Sequence, residues 1–283
     1  MPKGAWILLR WPELDVNSVK RKSADERAPT KNIKKPKKAD ETLEKERVEL
    51  LSEVKKRDNH NTISEKMVKS FSYCRQDVVQ SPPVSDLKDR WPALFQPTQI
   101  EETFRRITTI QLESTFMEKL DCYMPRLLSL FKKKGGAAGV KLQGIQEMLY
   151  GSNTVEKRTE TMIHGLIIYF GENVEDLIKE YQDANIQEDL TQHVLKIFVV
   201  NKGATNDDNP VDVGIAIEGA KVLFGISSVA QACTFLMGLI YALNLSYPKE
   251  LKYTFEVFQK VFLELNVEKT TSKVQSLRRN LLA

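Results

Sequence analysis

The sequence predicts a mainly α protein: a helical body with a short two-stranded β element near residues 194–217, preceded by a basic, disordered N-terminal tail. Three observations lead there. After Thr42, apolar residues recur every three or four positions over most of the chain, as in Phe116, Leu120, Tyr123, Leu127 and Phe131. Two runs only, residues 194–200 and 211–217, are β-branched and apolar, with a loop-forming stretch rich in Asn and Asp between them. Residues 1–40 hold 11 Lys/Arg against 5 Asp/Glu, whereas the remainder holds 31 against 33. The basic character therefore belongs to the tail, and the folded part is slightly acidic.

The elements follow in order. Residues 12–40 carry too few apolar side chains to offset the entropy of ordering and are expected to be disordered. From Thr42, Leu43, Leu50, Leu51 and Val54 mark a weak stripe among Glu, Lys and Arg, which predicts a solvated helix lacking a partner. Thr62-x-x-Glu65 is a capping box that opens a second helix with Ile63, Met67 and Phe71 on one face. Ser81-Pro82-Pro83 ends it, because proline donates no backbone hydrogen bond. These two helices, residues 41–81, form the first folded section.

The main body is placed at 84–265. It starts with a short helix over 85–90, stopped by Trp91-Pro92, and a second capping box, Thr98-x-x-Glu101, then opens a helix buried through Ile100, Phe104, Ile107 and Ile110. The helix at 113–134 contains Pro125, which predicts a kink, and Gly135-Gly136 stops it. Helices are expected at 140–150, 154–170 and 173–182, then the two strands, which must lie against helices to be stable. A helix over 228–245 and one over 250–265 complete the body. The last section, 266–283, is a short amphipathic tail carrying Val274, Leu277 and Leu281, expected to be undocked.

The uncharged stretch 222–248 is long enough for a membrane span, and Ala230, Thr234 and Gly238 form the small-residue row that membrane helices use. Ser227, Ser228, Gln231, Thr234 and Asn244 dilute it, so a buried core helix is expected and a membrane role is not. Three scattered cysteines, Cys74, Cys122 and Cys233, and no secretory signal point to an intracellular, reducing setting.

At this point three runs carry a resemblance: Arg90-Trp-Pro-Ala-Leu-Phe95, Phe104-Arg-Arg-Ile-Thr-Thr109 and Tyr247-Pro-Lys-Glu-Leu-Lys-Tyr-Thr-Phe-Glu-Val-Phe258. With them, nearly the whole chain resembles a multi-copy vertebrate family labelled sterile alpha motif domain-containing protein 3-like. The resemblance implies no established activity. No sterile alpha motif is legible here, so the oligomerisation such a motif implies is not carried over. A Pro-rich linker usual before the Glu/Leu helix is also missing, since Lys38-Ala-Asp-Glu-Thr-Leu43 runs straight through.

Functional signals are few. Arg21 and Lys22, followed by Lys34, Lys35, Lys37 and Lys38, fit a bipartite nuclear import signal, because an extended basic segment suits the acidic grooves of an import receptor. The nucleus is the expected location, with the cytoplasm as the alternative. Arg105, Arg106, Arg126, Lys132, Lys133, Lys134 and Lys141 are candidates for contacts to nucleic-acid phosphates, of a non-specific kind, because no aromatic residues interleave the tail cluster. Lys132 to Lys141 imitates a phosphate loop but lacks its Gly-Lys-Ser/Thr ending. His60, His164 and His193 stand apart, His164 as a hydrogen-bonded core residue, and 206–210 reads as turn chemistry lacking calcium-loop spacing. No catalytic residues, cofactor or metal are expected. The expectation is a non-enzymatic protein-interaction protein, adaptor-like, binding a protein partner or itself; the alternative is a nucleic-acid-associated protein.

Overall fold

The structure, a computed structural model, describes residues 38–151, 154–182, 186–201 and 212–283. The disordered-tail expectation and the import cluster fall outside these residues, except for Lys38, Ala39 and Asp40, which already belong to α1. Helix α1 (Lys38–Val54) packs on α2 (His60–Val79), and α3 (Val84–Arg90) and a 3-10 turn (Pro92–Phe95) close over them. Then come α4 (Pro97–Thr108), α5 (Leu112–Lys133), α6 (Gly136–Gly151), α7 (Val155–Tyr169) and the one-turn α8 (Val174–Leu177). A sheet follows, with β1 (Ile178–Tyr181), the one-turn α9 (Gln187–Leu190), β2 (Leu195–Val200), β3 (Asp212–Ile217) and β4 (Ala220–Leu223). Helices α10 (Val229–Ala242), α11 (Lys252–Val257, continued as a π turn over Phe258–Phe262) and α12 (Ser272–Leu282) complete the chain.

The fold is mainly α, as expected, but the β element is larger than the sequence suggested. Four strands run in the order β1-β2-β3-β4, with β1 parallel to β2 and the others antiparallel. The helix expected over 173–182 is a single turn capped by the Asn173 side chain, after which the chain extends into β1. Pairing of Ile178 with Ile197 and Tyr181 with Val200 decides the matter: β2 offers an open edge, and a four-residue strand is too short to show its own period. Leu195, Ile197, Val199, Val213, Ile215 and Ile217 face the main core. Phe198 and Ala216 face a second small cluster with Ile186 and Leu190 beside α9.

Helix α10 is the centre of the molecule. All of its fourteen residues except Gln231 are buried, against α4, α5, α7, β2 and β3. At about 1.5 Å per residue it spans roughly 21 Å, short of the roughly 30 Å hydrocarbon layer. Among the described residues no helix is long and apolar enough to cross a membrane. The core-helix expectation for 222–248 holds.

The two helices expected to lack a partner both have one. In α1, Leu50 is buried, and the Arg47 guanidinium donates to the Arg90 carbonyl at 3.1 Å. In α12, Val274, Leu277 and Leu281 are buried against α5 and α11. One hydrophobic cluster runs from Leu50 to Leu281.

Helix ends are closed by side chains from distant elements more than by local boxes. Neither Thr62 nor Thr98 is an N-cap: α2 starts at His60, and α4 starts at Pro97, whose fixed φ suits the first helical position. Glu101 instead accepts from the backbone N–H of Leu112 and Glu113 and caps α5. Glu172 does the same for α11 through Tyr253 and Thr254, and Glu256 for α12 through Thr271. At the opposite ends, Arg75 donates to the Tyr241 and Ala242 carbonyls of α10, and Arg126 to the Leu281 carbonyl of α12. Opposite charge at each helix end also answers the helix dipole. Pro125 lies on the exposed side of α5, where the carbonyl it leaves unpaired meets water.

A polar cluster ties α1, α2 and α3 together. Arg90 reaches Asp77 at 2.6 Å, Glu44 at 3.1 Å and the Tyr73 hydroxyl at 2.9 Å, and the buried Trp91 indole donates to Asp77 at 2.8 Å. Hydrogen bonds from Arg47, then from Tyr73 and the Arg90 charge, hold the Glu44 carboxyl at about 2, against an ordinary 4.5. A depressed folded pKa stabilises above the unfolded value and is lost as pH falls through the folded one. The side chain is 31% exposed, so screening leaves about 1–2 kcal/mol lost between roughly pH 4.5 and 2. Unfolding free energy measured against pH should fall less steeply in that window for Glu44→Gln than for the wild type. Parallel curves would show that Glu44 is not the group responsible.

Candidate interaction surface

Helix α5 carries two apolar stripes. Phe116, Leu120, Tyr123, Leu127 and Phe131 face the core, as their spacing predicts. Met124 and Leu128 lie beside that stripe and are only partly buried. Helices α6 and α7 pack against α5 and against each other, but they leave these two side chains at the floor of a groove. Leu149, Gln146 and Tyr150 of α6 form one wall, and Lys132 and Arg158 stand at the rim. The volume, about 190 Å³, is below the roughly 300–1,000 Å³ of enclosed small-molecule sites, which suits one or two apolar side chains of a partner. Tyr150 is 80% exposed, its hydroxyl 3.5 Å from the Lys132 ammonium.

The electrostatics are positive at this end. Lys132 and Lys133 occupy the last turn of α5, the favourable place for cations against a helix dipole, and Lys134 caps it with its ammonium 4.4 Å from the Tyr169 ring. Lys157 pairs with Glu160, whose carboxyl is pushed up by burial.

The seven candidate phosphate contacts do not form one face. Lys132, Lys133, Lys134 and Lys141 gather where α5 ends and α6 begins. Arg105 and Arg106 lie at the end of α4, just before α5, a helix of 22 residues or roughly 33 Å. Arg105 is bonded to Glu102 at 2.7 Å, and the Arg106 guanidinium lies 5.6 Å from the Phe71 ring. Arg126 caps α12. The three arginines are thus engaged within the fold, and of the lysines Lys134 lies against the Tyr169 ring and Lys132 beside the Tyr150 hydroxyl.

The histidines stay apart: His60 opens α2, His164 lies in α7, and His193 follows α9, 3.6 Å from Asp189. The expectation that His164 is hydrogen-bonded is not met at Nε2, which has no partner among the described residues and sits 3.9 Å from Glu160. Burial pushes this imidazole down to about 4, so it is neutral at physiological pH. Burial also pushes the Cys74 thiol up to about 12 and the Cys233 thiol higher still. Among the described residues no group of three or more His, Cys, Asp or Glu side chains is placed to hold a metal ion. The 206–210 turn lies outside the described residues.

Lys132 is legible in the sequence as charge, whereas the groove beside it is not. The signal was present in α5, where Met124 and Leu128 add a second stripe, and in α6, which is apolar on more than one side.

Fold and surface together define a helical protein with an exposed apolar groove at one end of its longest helix. Its α1–α3 unit and the following 3-10 turn, residues 43–96, match the family model described as sterile alpha motif domain-containing protein 3, helical domain. The match supports assignment to the family like that protein which the sequence runs resemble, and no sterile alpha motif is found in the chain. The Arg90-Trp91 run falls in the matched segment, where it builds the polar cluster around Asp77. No curated protein and no solved structure is significantly similar to the chain.

Proposed function

We propose that this chain is a non-enzymatic, adaptor-like protein-interaction protein that grips a partner segment in the α5–α6–α7 groove. The observation that carries the reading is an apolar floor of Met124 and Leu128 with Leu149 in the wall, beside a Tyr150 left 80% exposed, with Lys132 and Arg158 at the rim. Exposed apolar recesses rimmed by polar groups mark docking sites, and exposed tyrosines make good anchors. The rim favours a segment with one or two apolar anchors and Asp or Glu beside them. The helical-domain match of α1–α3 names no activity, so the reading rests on the groove. The buried, up-shifted thiols and the dispersed histidines give no support to a nucleophilic enzyme. Delivery to the nucleus by Arg21, Lys22, Lys34, Lys35, Lys37 and Lys38 belongs to the same proposal.

The test is site-specific photo-crosslinking in cells, with a benzophenone amino acid at position 150 of the tagged full-length chain and at the exposed position 48 as control. The expected result is one protein joined at 150 and not at 48, through a peptide carrying apolar and acidic residues. That product should be lost on Lys132→Glu with Lys133→Glu. The same tagged chain should be nuclear, and cytoplasmic when Lys34, Lys35, Lys37 and Lys38 are changed to Ala. Crosslinks to single-stranded nucleic acid at 150 would instead favour the alternative reading, since an exposed tyrosine amid lysines also suits base stacking. Equal labelling at 150 and 48 would remove the groove from consideration.

A further inference from the structure

Two of the three tryptophans in the chain stand in the same short run. Arg10-Trp11-Pro12-Glu13-Leu14 repeats Arg90-Trp91-Pro92-Ala93-Leu94, differing at the fourth position alone. The second copy shows what such a run does when it is seated. Trp91 and Leu94 are 0% and 1% exposed, and the Leu94 N–H donates to the Trp91 carbonyl at 2.9 Å. The turn delivers an indole and a leucine to the hydrophobic core together. The first copy lies outside the described residues, and its sequence carries the same two anchors.

The position that differs rules out an exchange of seats between the copies. Ala93 is 0% exposed in the hydrophobic core, where the carboxylate of Glu13 would lose its hydration. Glu13, with Asp15 two residues on, calls for an apolar floor with cations beside it. Within residues 1–37, acidic side chains stand at 13, 15, 25 and 26, and only the first two adjoin large apolar residues. Trp6-Ile7-Leu8-Leu9 is apolar as well, but its charged neighbours are Lys3 and Arg10. The α5–α6–α7 groove has the required combination, with Met124 and Leu128 below and Lys132 and Arg158 at the rim. Its volume of about 190 Å³ suits one or two apolar side chains.

We propose that residues 11–15 occupy the α5–α6–α7 groove of their own chain and compete there with the outside partner. Trp11 and Leu14 are the anchors, and Glu13 and Asp15 meet the cationic rim. The competition rests on the reading of that groove as a docking site. Reach is sufficient: residues 16–37 join the run to α1, and at roughly 3.3–3.6 Å each they can span about 75 Å. A compact body of about 250 residues has a radius of gyration of about 18 Å, which puts its far side about 70 Å away around the surface. A two-anchor contact in a shallow groove has a dissociation constant on the order of 0.1 mM. Tethering supplies an effective concentration on the order of 1 mM, so an outside partner is weakened about tenfold.

The purified full-length chain at about 1 µM, with the benzophenone amino acid at position 150, tests occupancy in the absence of any partner. Irradiation should join position 150 to a peptide containing residues 11–15 of the same chain, and position 48 should give no such product. Trp11→Ala with Leu14→Ala should reduce the product at least about fivefold, whereas Trp6→Ala with Ile7→Ala should leave it within about twofold. Glu13→Lys with Asp15→Lys should also reduce it at least about fivefold at low salt. Adding Lys132→Glu and Arg158→Glu to that variant should restore it, a rescue that a merely apolar contact does not give. In cells, Trp11→Ala with Leu14→Ala leaves the import cluster intact and should raise the partner product at 150 severalfold. No product from the purified chain, or an equal one from position 48, overturns the proposal, while a partner product in cells would still support the docking reading. A crosslinked dimer, with residues 11–15 supplied by a second copy, overturns it too. An intramolecular product that leaves partner crosslinking unchanged when the anchors are removed overturns the competition.

Discussion

Glu256→Ala is expected to cost about 3–5 kcal/mol of unfolding free energy, the largest loss anticipated for any charged residue in this fold. Glu256 and Lys260 are 1% and 3% exposed, one helical turn apart where α11 passes into its π turn. Their ion pair is 3.1 Å long. The carboxylate does more than neutralise Lys260. One oxygen accepts the Thr271 backbone N–H at 2.6 Å and the other the Thr271 hydroxyl at 2.6 Å, so the same group caps α12. Alanine would leave a buried ammonium held, among the described residues, by the Lys269 carbonyl alone and would uncap the last helix.

Two further variants separate those contributions. Glu256→Gln keeps acceptors for Thr271 while losing the charge, and should cost about half as much. Glu256→Leu combined with Lys260→Met removes both charges and should recover much of the single-mutant loss, because a buried pair often gains little over apolar residues of similar volume. Urea unfolding followed by circular dichroism gives the free energies, and hydrogen exchange reads α12 separately. A loss below about 1 kcal/mol for Glu256→Ala would show that the pair is not buried as described.

The parts of the fold that sequence reveals are those whose cause is local. Periodicity along α5, the loop-forming break between β2 and β3, and the uncharged run of α10 each depend on neighbours within a few turns. The tertiary caps do not. Thr98-x-x-Glu101 has the form of a capping box, yet Glu101 serves the next helix, eleven and twelve residues on. Glu172 caps a helix some eighty residues away. No window on the sequence contains both ends of such a bond. The same reasoning explains α1 and α12, whose stripes look unpartnered only because their partners are distant. In the candidate surface, lysines were legible as charge, but the groove needed α6 and α7 to be placed against α5.

Gly238→Val is expected to destabilise by about 3 kcal/mol or more, and it shows how a correct pattern took its meaning from context. Ala230, Thr234 and Gly238 do form a small-residue row, and the row serves close helix packing in a buried core. A Cβ at Gly238 would sit 2.4 Å from Ile100 Cγ2 and 2.6 Å from Leu112 Cδ2. Leu112 can rotate away, but the Ile100 methyl is fixed on a branched Cβ, so α4 itself would have to move off α10. Overpacking of this kind typically costs about 1–3 kcal/mol, and a β-branched residue at a site with two contacts belongs at or above the top of that range. Gly144→Ala on α6 is the matched control, because its Cβ meets nothing within 4 Å. It should stabilise by about 0.5–1 kcal/mol through helix propensity alone. Opposite signs at two helical glycines, read from urea unfolding of both variants, would establish that α4 and α10 are in contact at Gly238. Equal, small effects would mean that α10 does not approach α4 as closely as its small residues allow.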